Sequence, residues 1–264
     1  MKLLIAYLFL LLRPVVGNAK ESAVKDWRKA EGRIFIVRHG QRAPIKDRAD
    51  FDPPLTSDGR KQAELAGQYL RKLNFRGRII ASPYRRTLET AALIAKHTGG
   101  RILVCPEIQE LIRKGKPRIK QRTLAELRQE FPLIAEDTAL EYPWAVSGPE
   151  TVFTLSKRLE KALNGAAFPD PSSDVLLVSH GGLLKGLDIL MKNIPGPEIP
   201  KWEKVNWNCS ISEYRLKKGA APVCIRLFDV SFLPDELVTS NAKKMTADKR
   251  KGSDASSARS KEKK

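Results

Sequence analysis

The sequence predicts an α/β domain, a three-layer sandwich with helices on both faces of a mainly parallel central sheet, and three features carry that prediction. Short apolar, β-branched runs alternate with segments of helical spacing. The runs are apolar at both odd and even positions, as strands covered on both faces must be. Two of them empty directly into histidine followed by glycine, at the strand ends where an open parallel sheet places its functional groups. With 264 residues, 42% of them hydrophobic, the chain can bury one large core, which excludes wholesale disorder and a fibrous protein.

Gly32 to Val37 (GRIFIV) is the first buried strand and stops at Arg38-His39-Gly40. After a proline-rich loop, Leu55-Thr56-Ser57-Asp58-Gly59 offers a hydroxyl N-cap, and Ala63, Ala66, Tyr69, Leu70 and Leu73 recur at helical spacing. Arg78 to Ser82 is a second strand, Arg85 to His97 a second helix closed by Gly99-Gly100, and Arg101 to Cys105 a third strand. Between Pro106 and Ser147 the periodicity fades. One helix near Leu124 to Glu130 stands among loops rich in proline and charge, which predicts an insertion beside the sheet and a candidate lid. A helix over Glu150 to Leu163 follows. The strand Asp174 to Ser179 then ends at His180-Gly181-Gly182, ahead of a helix over Leu183 to Met191. Cys209 to Leu216 and Val223 to Val230 resemble two edge strands around a turn at Lys217 to Ala220.

The ends of the chain differ from its body. Met1-Lys2, the apolar run Leu3 to Leu12 and the small residues Gly17 and Ala19 fit a signal peptide over residues 1–19, too short for the roughly 20 residues of a membrane span. That predicts a secreted protein or one of the secretory lumen, and gives Asn208-Cys209-Ser210 meaning as a glycosylation sequon if it is exposed. Residues 243–264 hold nine basic and three acidic side chains and no large hydrophobe except Met245, so a basic disordered tail is expected there, with the folded domain over 20–242. Lys249-Arg250-Lys251 supports the competing cytoplasmic or nuclear location.

The formal net charge of +18 favours anionic partners. No nucleic-acid motif or aromatic cluster accompanies it, so specific nucleic-acid binding is not expected, although the tail suits contact with polyanions. Cys105, Cys209 and Cys224 form no CxxC or Cys/His pattern, so neither a metal nor another cofactor is implied. A symmetric hairpin would set Cys209 opposite roughly Phe228 rather than Cys224, which predicts no disulfide between those two cysteines.

Two of the three histidines follow buried strands and precede glycine. Arg38, Arg42, Arg85 and Arg86 lie at or near strand ends, where a guanidinium must find an anion or a carboxylate. Phosphoryl transfer explains such a set. It needs charge neutralisation on three oxygens, an in-line nucleophile and a proton for the leaving oxygen. Arginine supplies planar, permanently charged forks. A neutral histidine can attack phosphorus if its other ring nitrogen donates to a backbone carbonyl. A nearby carboxyl can protonate the leaving group and then activate water. Glycine after each histidine would let the phosphate approach the backbone.

Arg38-His39-Gly40, Asp52-Pro53-Pro54-Leu55-Thr56-x-x-Gly59, Ala81-Ser82-Pro83-Tyr84-Arg85-Arg86-x-x-x-Thr90-Ala91, Pro106-x-Ile108-x-Glu110 and Val178-Ser179-His180-Gly181 together resemble the histidine phosphatase, or phosphoglycerate mutase-like, superfamily. The resemblance runs from about Arg33 to Met191. It implies a phosphoglycerate mutase-like fold, a phosphohistidine on His39, phosphoryl binding by Arg38, Arg86 and His180, a second phosphatase-type arginine at Arg42, and Glu110 as acid/base, with Glu107 three residues away as its rival. Arg86 fits the family spacing better than Arg85, which is left for a surface or carboxylate contact. Gln41-Arg42-Ala43-Pro44 stands where mutases carry Glu-Ser. The Ser-His-Gly-Gly pattern is more similar to the phosphatase domains of ubiquitin-associated and SH3 domain-containing (suppressor of T-cell receptor signalling) proteins. The implied activity is phosphomonoester hydrolysis, with phosphotyrosine, a sugar phosphate or another phosphomonoester as substrate. The alternatives are a mutase-type phosphotransferase and a non-catalytic binder of phosphorylated ligands.

Overall fold

A computed structural model describes residues 26–44, 51–112, 114, 119–145, 148–167, 173–192, 206–240 and 243–244. The expected signal peptide and the tail beyond residue 244 lie outside the described residues.

Strands β1 (Gly32–Arg38), β2 (Arg78–Ala81), β3 (Ile102–Val104), β4 (Val175–Ser179), β5 (Ile211–Leu216) and β6 (Val223–Asp229) form one sheet in the order β3-β2-β4-β1-β5-β6. The four from β3 to β1 run parallel, and β5 and β6 are antiparallel. β1 and β4 are central neighbours with Arg38 beside Ser179, and His39 N donates to Ser179 O at 2.8 Å. The two histidines therefore leave the sheet side by side.

The strands are apolar at both parities because both faces are covered. Ile34 and Ile36 enter one core with Leu155 and Leu159 of α4 (Val152–Ala162) and Leu184 and Leu187 of α5 (Gly181–Met191). Phe35 and Val37 enter the other with Ala66 and Leu70 of α1 (Ser57–Lys72) and Leu88 and Ile94 of α2 (Arg85–Thr98). Each large side chain among these contributes about 1.5–3 kcal/mol on burial, so one strand anchors both helical layers.

Local signals set the helix ends. Thr56 Oγ1 accepts from Gly59 N at 3.0 Å, and Gly99, at φ 78°, closes α2 in the left-handed conformation. α5 starts at Gly181, two residues before the expected Leu183, because His180 itself stands as the extended N-cap residue.

The expected pair of edge strands needs correction. β5 lies between β1 and β6, so β6 alone is the edge on that side. The polar Ser212 and Glu213 of β5 are both buried and partnered: Glu213 accepts from Arg226 Nε at 2.6 Å, and Ser212 Oγ from Phe228 N at 3.1 Å. No disulfide joins Cys105, Cys209 and Cys224, and Cys224 pairs in register with Tyr214.

The insertion does more than stand beside the sheet. Ile102 N donates to Leu133 O at 2.9 Å and Ala135 N to Ile102 O at 2.8 Å, which continues the sheet past β3. Its helix α3 (Leu124–Glu130) opens with a Thr123/Glu126 capping box and buries Leu127 in the core shared with α1 and α2. Near the other terminus, β7 (Thr239–Ser240) pairs with β8 (Lys243–Lys244), so paired backbone reaches two residues into the segment assigned to the tail.

Candidate active site

Adjacent registers of β1 and β4 bring the imidazoles of His39 and His180 to a centroid separation of 5.4 Å with planes at 64°. Both rings are buried. His39 Nδ1 lies 2.8 Å from Gly40 O. A carbonyl only accepts, so Nδ1 carries the proton and Nε2 the lone pair. His180 has the opposite tautomer. Arg86 Nη2, which can only donate, is 3.0 Å from its Nδ1, leaving Nε2–H to donate to Ser82 Oγ at 2.9 Å.

Burial holds the pKa of His39 well below the ordinary 6.5, reinforced by the charges of Arg86 and Arg38. Burial does the same to His180, with Arg86, then His39 and Arg38, adding to it. Both rings are therefore neutral at pH 7.

Guanidinium groups supply the charge. Arg38, the last residue of β1, donates to Asn206 O and, at 3.2 Å, to Ser240 Oγ. Burial lowers its pKa to about 10, opposed by the charge of Glu110. Arg86 lies in the first turn of α2 at 4% exposure, its Cζ 4.5 Å from the Tyr84 ring centroid. Its Nε and Nη1 have no hydrogen-bond partner among the described residues. A buried donor without an acceptor costs about 1–3 kcal/mol, so two of them on one cation beside two imidazoles mark a position for an oxyanion. Arg42 is half-buried, donates to Ala43 O at 3.1 Å, and adds its charge to the field at His39.

Glu110 follows the short turn Pro106–Ile108. Its Oε1 accepts from Leu111 N and from Gly182 N, each at 3.0 Å, and Gly182 belongs to the positive first turn of α5. The rival Glu107 points its carboxylate at Lys161 Nζ (3.5 Å) and Cys105 Sγ (3.4 Å). Arg85 makes the carboxylate contacts left for it, with Glu89 at 3.1 Å and Glu130 at 2.9 Å. The geometry thus gathers His39, His180, Arg38, Arg86 and Glu110, with Arg42 close by, while His97 bridges α2 to Glu64 on α1.

Two expectations change. Gly40 is required by backbone packing, whatever a phosphate demands of it. A Cβ there would lie 2.4 Å from Gly59 O, and one on Gly59 would lie 2.1 Å from Gln41 O. The sequon is buried: Asn208 is 1% exposed, its Nδ2 donates to His39 O at 3.1 Å, and its Oδ1 accepts from Thr239 Oγ1 at 3.2 Å. The folded chain has no room for a glycan at that amide.

Several supporting residues escaped the sequence reasoning. Ser82 orients His180, Thr90 Oγ1 accepts from Gly40 N at 3.0 Å, and Asn206 Nδ2 donates to Gly181 O at 3.3 Å while its carbonyl holds Arg38. Asp52 accepts from Arg85 N at 2.9 Å and pairs with Arg122 of the insertion, tying that segment to the start of α2. Ser82, Thr90 and Asp52 stood inside recognisable blocks. Asn206 stood in none.

The family model for the histidine phosphatase superfamily (branch 1) matches residues 34–229. A probable phosphoglycerate mutase GpmB of Yersinia enterocolitica is 30% identical over 185 residues, covering 68% of this chain and 82% of that protein. Among solved structures, the ecdysone phosphate phosphatase from Bombix mori, in complex with tungstate, aligns over 82% of this chain and 98% of its own with a TM-score of 0.59 at 18% identity. The phosphoserine phosphatase of Entamoeba histolytica, in complex with 3-phosphoglyceric acid, aligns over 77% and 100% with a TM-score of 0.54 at 21% identity. These two likenesses are likenesses of fold. With the family model covering all but the first two residues of the six-stranded sheet and both histidine-bearing strand ends, the chain belongs to the histidine phosphatase superfamily.

Proposed function

We propose that this chain hydrolyses phosphomonoesters through a phosphohistidine on His39. The observation that carries this reading is the His39 tautomer: Nδ1–H is held by Gly40 O, which leaves the Nε2 lone pair opposite His180 and amid buried guanidinium charge. In the first step Nε2 forms a bond to phosphorus as the ester P–O bond breaks, and Glu110, in its acid form, gives a proton to the departing oxygen. Both backbone donors fall on Oε1 of Glu110, so Oε2 is the atom left to exchange the proton. In the second step the Glu110 carboxylate takes a proton from water, which attacks phosphorus, releases phosphate and restores His39. The unpartnered N–H groups of Arg86, with Arg38 and Arg42 nearby, neutralise the phosphoryl oxygens throughout. The charge stabilisation comes from guanidinium groups, so the reaction as written needs no metal.

The test is an acid-labile phosphate on His39. Quenching in alkaline detergent during turnover of p-nitrophenyl phosphate traps it and later acid treatment releases it, EDTA leaves turnover intact, and His39→Ala loses both label and turnover. Turnover that survives His39→Ala overturns the assignment. The relative named as a probable mutase favours a second reading, transfer of phosphate between positions of a sugar acid. Gln41-Arg42-Ala43-Pro44 and Ser179-His180-Gly181-Gly182 support hydrolysis instead. Incubation with 3-phosphoglycerate separates the two: a hydrolase yields inorganic phosphate, and a mutase yields the positional isomer. A secretory location rests on residues 1–19 alone, now without the sequon, and sequencing the N-terminus of the mature protein tests it.

A further inference from the structure

The helix α4 faces the loop that carries Glu110, and its Arg158 forms a largely buried ion pair there with Glu150, which precedes the helix. Arg158 Nε and Nη2 each donate to Glu150, both at 2.8 Å, in the bidentate arrangement of a guanidinium and a carboxylate. The remaining donors of the same guanidinium reach backbone carbonyls of the loop: Nη1 donates to Glu107 O and to Gln109 O (3.3 Å), and Nη2 also to Gln109 O (3.4 Å). Glu150 completes the grip from the other side. Its Oε2 accepts from Ile112 N at 3.2 Å, and its backbone N donates to Ile112 O at 2.8 Å. Ser179 Oγ adds a tie to Ile108 O at 2.6 Å. Glu110 therefore sits between fixed points at 107, 108 and 109 before it and 112 after it.

We propose that the Arg158–Glu150 pair is a positioning device for the acid/base Glu110, holding its carboxylate at Gly182 N. The proposal rests on the assignment of Glu110 above. Five hydrogen bonds occupy the five N–H groups of Arg158, so this arginine has no donor left for a substrate and its hydrogen bonds reach the site through the loop. The geometry also explains why an arginine is needed. Lysine offers three donors from one point and cannot bracket a carboxylate and two carbonyls at once.

The experiment compares the pre-steady-state rates at which p-nitrophenyl phosphate and phenyl phosphate phosphorylate the enzyme. Nitrophenolate leaves with little help, whereas phenolate needs the proton. The ratio of the two rates reports proton delivery and is independent of the fraction of folded enzyme. Glu110→Gln should raise that ratio by about 10-fold or more. Arg158→Lys should raise it in the same direction by several-fold, with the vanadate inhibition constant within about 2-fold of the parent, since the phosphate site is untouched. Should the lysine variant fail to fold, the double variant Glu150→Leu/Arg158→Met removes the ties without leaving a lone buried charge. A ratio unchanged in folded Arg158 variants, while Glu110→Gln raises it, overturns the positioning role. A ratio unchanged in Glu110→Gln overturns the assignment of Glu110 itself. Burst amplitudes that fall equally for both substrates, with the ratio constant, mark a purely structural role and also overturn the proposal.

Discussion

Gly182 offers the sharpest single-atom perturbation of the site. A methyl group on its Cα would lie 2.4 Å from Glu110 Oε1 and 2.9 Å from Leu111 Cβ, whereas carbon contacts settle at about 3.5–4.0 Å. Oε1 terminates a flexible side chain, so it gives way first and leaves Gly182 N without its acceptor. Overpacking costs about 1–3 kcal/mol, and exchanging glycine for alanine in a helix returns about 1 kcal/mol, so Gly182→Ala should lose about 0–2 kcal/mol of stability. An acid/base moved out of reach costs about 100-fold to 10,000-fold in rate, equivalent to about 2.7–5.5 kcal/mol on the barrier. Turnover should therefore fall much further than stability. The assay pairs kcat for phenyl phosphate with the midpoint of denaturant unfolding and the vanadate inhibition constant. Gly165→Ala is the control, since a Cβ there meets nothing within 4 Å. A Gly182→Ala enzyme with kcat near the parent would refute both the placement of Glu110 and its role.

Four further outcomes are expected. Burial and arginine charge hold His39 and His180 well below 6.5, so the histidine-dependent acid limb of kcat/KM should lie below that pH, and a limb centred at or above 6.5 would contradict it. The same depression makes the unfolded chain the stronger proton binder, so the stability contributed by these rings is complete above about pH 6.5 and declines as pH falls toward their folded values, measurable as Tm against pH. Asn208→Asp replaces the donor to His39 O with a buried carboxylate and should lose at least about 1–3 kcal/mol, while active enzyme from a secretory host should carry no glycan at Asn208. Of the three thiols, exposed Cys224 should react promptly with an aromatic disulfide reagent. Buried Cys105, its pKa pushed up to about 12 by burial, and buried Cys209, shifted in the same direction, should react only on unfolding.

What the sequence disclosed follows from the range over which each interaction acts. Strands β1 and β4 were legible because burial on both faces leaves an unbroken apolar run, and α1 and α2 because cap and period lie within one segment. The reacting groups were legible because phosphoryl chemistry restricts them to few residue types placed at strand ends. The pairing of β5 was hidden by Ser212 and Glu213, whose partners are recruited by the folded sheet. Asn206 and Asn208 were hidden for the same reason, since Asn208 meets His39 across 169 positions and the asparagine amide looks like any loop residue in sequence. The glycine after His39 has a further reason: Gly40 answers to the backbone of Gly59, and Gly59 to that of Gln41, contacts visible only once the loop after His39 lies on the first turn of α1.

The fixed and the reactive ends of these side chains follow one pattern. His39 is held through Nδ1 by a backbone carbonyl, Glu110 through Oε1 by two backbone N–H groups and Arg86 through Nη2 by the ring of His180. The atoms left over are Nε2 of His39, Oε2 of Glu110, and Nε and Nη1 of Arg86, one nucleophile, one proton carrier and two donors. A group anchored by its reactive atom would have to break that bond before each turnover, and a group not anchored at all would lose orientation. Anchoring by the opposite atom avoids both penalties. It also accounts for the distribution of polar residues around the strand ends. Ser82, Thr90, Asn206 and Asn208 lie behind the reacting groups, where small neutral side chains and backbone carbonyls can fix orientation without placing a second negative charge next to an incoming phosphate.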